Sequence, residues 1–278
     1  MLNLIRSEIY KVFKKWRTYI SFITIGALTV VVEIALLIEG KHYVEYATRN
    51  LGETFLFVGN FLNGYLIAHI VLNTLTIHIP FLITLVAGDL LAGEATAGTY
   101  RVLLTRPVSR FNVVLAKFIA GMTYSLLLVF FLAVVSLGLG IILFGTGELL
   151  VFKGGLIIFN ADDILWRFLI AYCFAGLSMS VVMSIAFFFS SLVENAIGPI
   201  IATMALIIVF LILSNLDIGF LKYIRPYLFT NYMGEWNSVF DYPVEWLEIG
   251  KSSLILFCHL VGFFLMTFLL FRKKDILT

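Results

Sequence analysis

Few residues in this chain of 278 could do chemistry, and their spacing points away from catalysis. The four histidines, His42, His69, His78 and His259, are scattered, and no H-E-x-x-H pair offers two imidazoles to a metal. Gly250-Lys251-Ser252 has the tail of a phosphate-binding loop, but Glu245 stands where the first glycine belongs. Gly176-Leu177-Ser178-Met179-Ser180 lacks the closing glycine of a nucleophile elbow. Cys173 and Cys258 lie in apolar runs and read as packing residues. The chain is therefore expected to be no enzyme and to hold no metal or cofactor of its own. What remains is polar groups inside apolar runs. Glu33 sits in Val30-Val31-Val32-Glu33-Ile34, where it reads as a contact between protomers, a snorkelling side chain, a path-lining group or a proton carrier. His69, Asn73 and Thr76 fall within about 60° of one another on a helical wheel. They read equally as interhelical hydrogen bonders and as the lining of a path. His69 and His78 are half a turn out of phase on a straight helix and share no metal there.

Composition says what holds these residues. Hydrophobic residues make up 61% of the chain and charged residues 13%, against about 25% charged in ordinary globular chains, and mean hydropathy is +1.04. Such a chain cannot cover its surface with polar groups, so lipid must be much of its solvent. A net charge of +2 excludes general attraction to nucleic acid. Six apolar runs are long enough to cross a bilayer: Tyr19 to Ile38, a stretch within Phe55 to Leu91, Phe111 to Phe144, Leu165 to Leu192, Ala196 to Leu213 and Leu254 to Phe271. The second and third reach about 55 Å and about 51 Å as helices, too long for one crossing. The second is expected to start beyond Gly64, to kink at Pro80, and to project with the third past the bilayer on one side.

Placing both termini inside puts twelve of the 19 basic residues on the inner flanks, in line with the positive-inside rule. The first seventeen residues form an amphipathic segment. Leu2, Ile5, Ile9, Val12, Phe13 and Trp16 share an arc of about 100°, and Lys11, Lys14 and Lys15 fall on the far side. This predicts a helix lying on the inner leaflet with its lysines toward anionic headgroups. The fold expected is an all-α membrane protein: six transmembrane helices behind an N-terminal interfacial helix, both termini cytoplasmic, forming one transmembrane domain over residues 1–278 with no nucleotide-binding domain.

The inner loop between the second and third spans, residues 88–110, differs from the rest. Gly93 and Gly98 can end or break a helix, and Thr99 to Thr105 reads as a short helix stopped before Pro107. Tyr100 and Arg101 would be exposed on it, with Arg106 and Arg110 following. The pattern Gly93-Glu94, Gly98-Thr99, Arg101, Leu103-Leu104, Pro107 and Ser109-Arg110 resembles the membrane permease subunit of ABC transporters of the type-2 exporter class. The amphipathic leader with Glu8, the six-span order and the ending Arg272-Lys273-Lys274-Asp275 extend the resemblance over the chain.

The resemblance implies that the loop is a coupling helix docking on a separate ABC ATPase subunit, present in two copies, which binds ATP and magnesium. Gly93, Glu94, Gly98, Thr99, Arg101, Leu104, Arg106, Pro107 and Arg110 would be the coupling residues. It also implies a pair of permeases, identical or paralogous, with a central path lined by the second and fifth spans, in a bacterial or archaeal inner membrane. The function expected is ATP-driven export of a hydrophobic or amphipathic substrate; the alternative is a stand-alone ion-coupled carrier or channel. The longest outer loop, residues 214–251, mixes Phe220, Tyr223, Tyr227, Phe229 and Tyr232 with Lys222 and Arg225, which suits headgroup level. Asp162, Asp163, Glu235, Asp241, Glu245 and Glu248 read as solvated faces.

Overall fold

The computed structural model describes residues 1–52, 61–98, 108–153, 155–216 and 218–273. A short helix α1, Leu2–Lys14, precedes α2, Trp16–Gly52. Then come α3, Gly64–Leu75, α4, Ile79–Ala87, and α5, Asp89–Thr96, followed by the long α6, Arg110–Phe144. A hairpin of β1, Leu149–Phe152, and β2, Leu156–Phe159, leads to α7, Leu165–Leu192, α8, Ile197–Asn215, and α9, Trp246–Lys273. Six helical stretches are long and apolar enough to cross a membrane: Trp16–Gly40, Ile79–Thr96, Arg110–Phe144, Ala161–Leu192, Ile197–Asn215 and Trp246–Lys273. They follow the six apolar runs of the sequence. Both termini lie at one end of the bundle, because Glu8 of α1 meets Lys117 near the start of α6 and Arg110 meets the carbonyls of Phe271 and Arg272.

The core runs along α7, which packs on α4, α5, α6, α8 and α9. In its most apolar stretch 78% of residues are buried, against 17–28% for the spans containing α2, α6, α8 and α9. Small residues make this close packing possible: Ala171, Ala175, Gly176, Ser178, Ser180, Ser184 and Ala186 are all buried on α7 or in contact with its neighbours. Ser180 and Ser184 donate to their own helix at Gly176 and Val181, so their hydroxyls need no partner across the interface.

The second crossing is broken where a single kink was expected. Asn63 caps α3 by accepting from the N–H groups of Tyr65 and Leu66 at 3.0 and 3.2 Å, and its own amide donates to the Glu148 carbonyl at 2.6 Å. The helix stops at Leu75, turns over residues 76–78, and restarts with Pro80 in the first turn of α4, where a missing N–H costs nothing. It breaks again at Gly88, where Ser190 of α7 bridges the gap. Its Oγ donates to the Gly88 carbonyl at 2.6 Å and accepts from the N–H groups of Leu91 and Ala92. A straight wheel through this span therefore fails beyond Leu75.

The opposite end holds the hairpin, an element that the all-α reading omits. Leu149 pairs with Phe159 and Phe152 with Leu156 in antiparallel register. Residues 219–240 run as successive 3-10 turns that bury Leu221, Phe229, Trp236, Val239 and Phe240. Arg167 of α7 joins the parts. Its guanidinium lies 4.2 Å from the centre of the Phe159 ring, donates to Asp163 at 2.9 and 3.0 Å, and donates to the carbonyls of Val239 and Asp241. The acids here are consequently not all solvated faces. Asp163 accepts from Arg167 and Trp166, Asp241 pairs with Lys153 at 2.6 Å, and Glu235 accepts from Ser238, because each lies beside a donor that the turns bring close.

Two glycines test the packing. A Cβ on Gly64 would lie 2.5 Å from the backbone of Gly140 and Ile141, whereas one on Gly138 would meet nothing within 4 Å. Gly64→Ala is expected to cost about 1–3 kcal/mol by overpacking. Gly138→Ala should gain about 0.5–1 kcal/mol by removing a flexible residue from a helix. Thermal unfolding of both variants in detergent checks the opposite signs.

Candidate functional site

At the end that carries the termini, four charges close into a ring. Lys11 Nζ lies 2.6 Å from Glu8 and 3.0 Å from Glu94, and Lys117 Nζ lies 2.8 Å from Glu8 and 2.7 Å from Glu94. Each residue is placed by its own element. Glu8 and Lys11 are three apart on α1 and so share a face. Glu94 is on α5, and Lys117 lies two turns into α6, whose start is fixed by Ser109 accepting from the Asn112 N–H. The Lys117 side chain is 2% exposed and that of Glu8 4%. Two positive and two negative charges leave the ring neutral, which is what makes such burial tolerable. For Lys11, burial acts to lower its pKa, but Glu8 and Glu94 outweigh that and hold it above the ordinary lysine value.

A second set lies beside the first. Asp89 of α5 meets Lys15 at 2.7 Å and Arg17 at 3.2 Å. Gly93, one turn on, leaves room for this carboxylate, since a Cβ there would collide with it. Together these contacts seat α1 on the bundle. Glu8 and Val12 are buried and Ile9 and Phe13 pack on the core, so the middle of the expected apolar stripe faces protein, while Leu2 at its start and Trp16, which opens α2, are 82% and 71% exposed. Lys11 and Lys15, expected to face headgroups, turn toward protein carboxylates because Glu94 and Asp89 stand within reach; Lys14 is exposed and has no ion pair among the described residues.

The residues that the resemblance marks for coupling divide accordingly. Glu94 joins the ring, and Gly93 clears space for Asp89. Arg110 donates to the Phe271 and Arg272 carbonyls at 3.4 and 2.8 Å, tying α6 to the end of α9. Gly98 closes the turn after α5 with φ +63, a left-handed conformation suited to glycine. Thr99, Arg101, Leu104, Arg106 and Pro107 lie outside the described residues. Sequence reasoning took Lys117 as a flanking positive charge; a lysine inside the apolar run from Phe111 was the available signal of a buried partner.

The path residues fall in two places. Asn73 and Thr76 line a cavity of about 390 Å³ between the α3–α4 break, α8 and the 3-10 turns. His69 sits at its edge with Nε2 3.3 Å from Asn237 Oδ1, its ring against Trp236 and Phe240. Asn237, Trp236, Asn231 and Thr230 complete the cavity and went unread, because 3-10 turns leave no helical period in the sequence. Glu33 is elsewhere. It is 1% exposed, so it does not snorkel, and neither carboxylate oxygen has a hydrogen-bond partner among the described residues.

Replacing Lys117 with methionine leaves two poorly hydrated carboxylates sharing Lys11 alone and is expected to cost about 3–5 kcal/mol. Lys11→Met, at a half-exposed position, should cost well under half as much. Thermal unfolding and N-terminal protease protection check the ranking. Glu33→Gln removes an uncompensated ionisable group and should leave the unfolding temperature unchanged or raise it, whereas Glu33→Lys should prevent recovery of folded protein.

No curated protein matches the chain. A family model described as "Protein of unknown function (DUF2705)" matches residues 17–277, from the start of α2 through α9. With nearly its whole length matched, the chain belongs to that family.

Proposed function

We propose that the chain is the membrane permease subunit of an ATP-driven exporter, paired with a second permease and powered by two separate ATPase subunits that bind ATP and magnesium. The resemblance of residues 93–110 to a coupling loop motivates the reading. The observation that carries it is the anchoring of that loop on both flanks. Glu94, just before Gly98, is held by Lys11 and Lys117, and Arg110, just after Pro107, holds the end of α9. A push on residues 99–107 therefore reaches α1, α5, α6 and α9 together. The α4–α5 break, bridged by Ser190, gives the second span a place to bend while the stitched helices move as bodies. With the terminal end of the bundle cytoplasmic, as the basic residues favour, the coupling loop faces the ATPase and the hairpin faces outward.

The test is co-purification of the tagged chain in mild detergent from its native membrane, wild type beside Arg101→Glu. An ATPase subunit should accompany the wild type, and the charge reversal should abolish its binding or reduce its coupled turnover at least about tenfold. An unchanged complex with unchanged turnover rejects the role of the loop. Glu33 favours one other reading, a stand-alone ion-coupled carrier, since an unpaired intramembrane carboxyl is a natural proton site. That reading requires proton flux in proteoliposomes without any ATPase, lost in Glu33→Gln.

A further inference from the structure

The cavity beside the α3–α4 break has a lining that selects among chemistries. Its polar side chains are carboxamides and hydroxyls with the Trp236 indole, and none of its described lining residues is charged. The side chains of Asn73 and Asn231 make no hydrogen bond among the described residues, and that of Asn237 is engaged only through its contact with His69. Asn215 donates to the Leu211 carbonyl of its own helix, and Ser214 and Thr230 bond to each other at 2.8 Å, which joins α8 to the 3-10 turns across the cavity. Apolar lining comes from Pro80, Ile207, Leu211 and the buried Trp236.

A carboxamide both donates and accepts, so it matches hydroxyl and amide groups, which do the same. Among the described lining residues a phosphate or sulfate finds no cation and an ammonium no carboxylate, so neither charge is repaid for the water it gives up on entering. The volume lies within the range of about 300–1,000 Å³ usual for small-molecule sites, and apolar walls with a few convergent polar groups are the usual lining. We propose that this cavity binds an uncharged amphipathic molecule, its hydroxyl- or amide-bearing end among Asn73, Asn231 and Asn237 and its apolar body against Pro80, Ile207 and Leu211. This deepens the exporter reading by naming a cargo class, and rests on it for its place in transport. The site is built across the break in the second span, so bending there changes its shape.

The full chain in zwitterionic-lipid nanodiscs, with no ATPase present, is titrated with octyl-β-glucoside, octyl sulfate or octyltrimethylammonium below their micelle concentrations, and thermal unfolding is read. The glucoside alone should raise the unfolding temperature saturably. Asn73→Leu and Asn231→Leu should each weaken its midpoint about tenfold, the value of one well-made hydrogen bond. Asn73→Asp should lose the glucoside response and gain one to the ammonium amphiphile. An equal response to all three amphiphiles, no response, or unshifted midpoints in the variants overturns the proposal. Because no ATPase takes part, a failure here leaves the Arg101→Glu result standing, and a failed co-purification leaves the binding result standing.

Discussion

Lys117 sets the arrangement at one end of the molecule. Its ammonium lies two turns into an apolar helix, nearly without water, and a cation so placed must be met by anions from elsewhere in the chain. Glu8 comes from α1 and Glu94 from α5, and Lys11 balances the second carboxylate so that the ring is neutral. Three features follow from that one requirement. Glu8 holds α1 against the bundle with Ile9, Val12 and Phe13 beside it, so that its apolar stripe faces the protein. Glu94 fixes α5 against α6, which brings Asp89 within reach of Lys15 and Arg17. A glycine must then stand at position 93 to admit the Asp89 carboxylate.

The two ends of the bundle solve the same problem differently. The terminal end is held by ion pairs between separate helices, whereas the hairpin end is held by one arginine. Arg167 is buried but has a carboxylate, two carbonyls and two aromatic faces around it, so its charge is distributed and its ring contacts exclude water. Between these ends α7 supplies a column of small residues on which the others pack closely. The second span, by contrast, is interrupted twice, and each interruption has been given partners: Thr76, which donates to the Leu72 carbonyl, and Pro80 between α3 and α4, and Ser190 between α4 and α5.

The spans were legible because hydropathy is a local property. Tyr19 to Ile38 and Ala196 to Leu213 differ from the helical stretches Trp16–Gly40 and Ile197–Asn215 only at their ends, where flanking polar residues carry little signal. The hairpin was readable in principle, as two four-residue apolar runs around Lys153-Gly154-Gly155, but at that length a strand and a fragment of helix look alike. Of the face of His69, Asn73 and Thr76, the last two line the cavity, Thr76 from a turn and not from a continuous helix, while His69 is turned to Asn237. The ring was hidden for a different reason. Glu8 and Lys117 are 109 residues apart, and no local pattern in either segment names the other.

That separation also orders the events of synthesis. Glu8 is made 109 residues before its partner, an interval of roughly 5–20 s at ordinary rates of chain elongation. Within it α5 emerges, and its Asp89 and Glu94 can already meet Lys15, Arg17 and Lys11, so α1 is tethered by its exposed cations first. Only the arrival of Lys117 gives Glu8 a reason to turn inward. The seating of α1 is thus completed only when α6 is in place, and the closed ring reports that α6 has taken its position in the bundle.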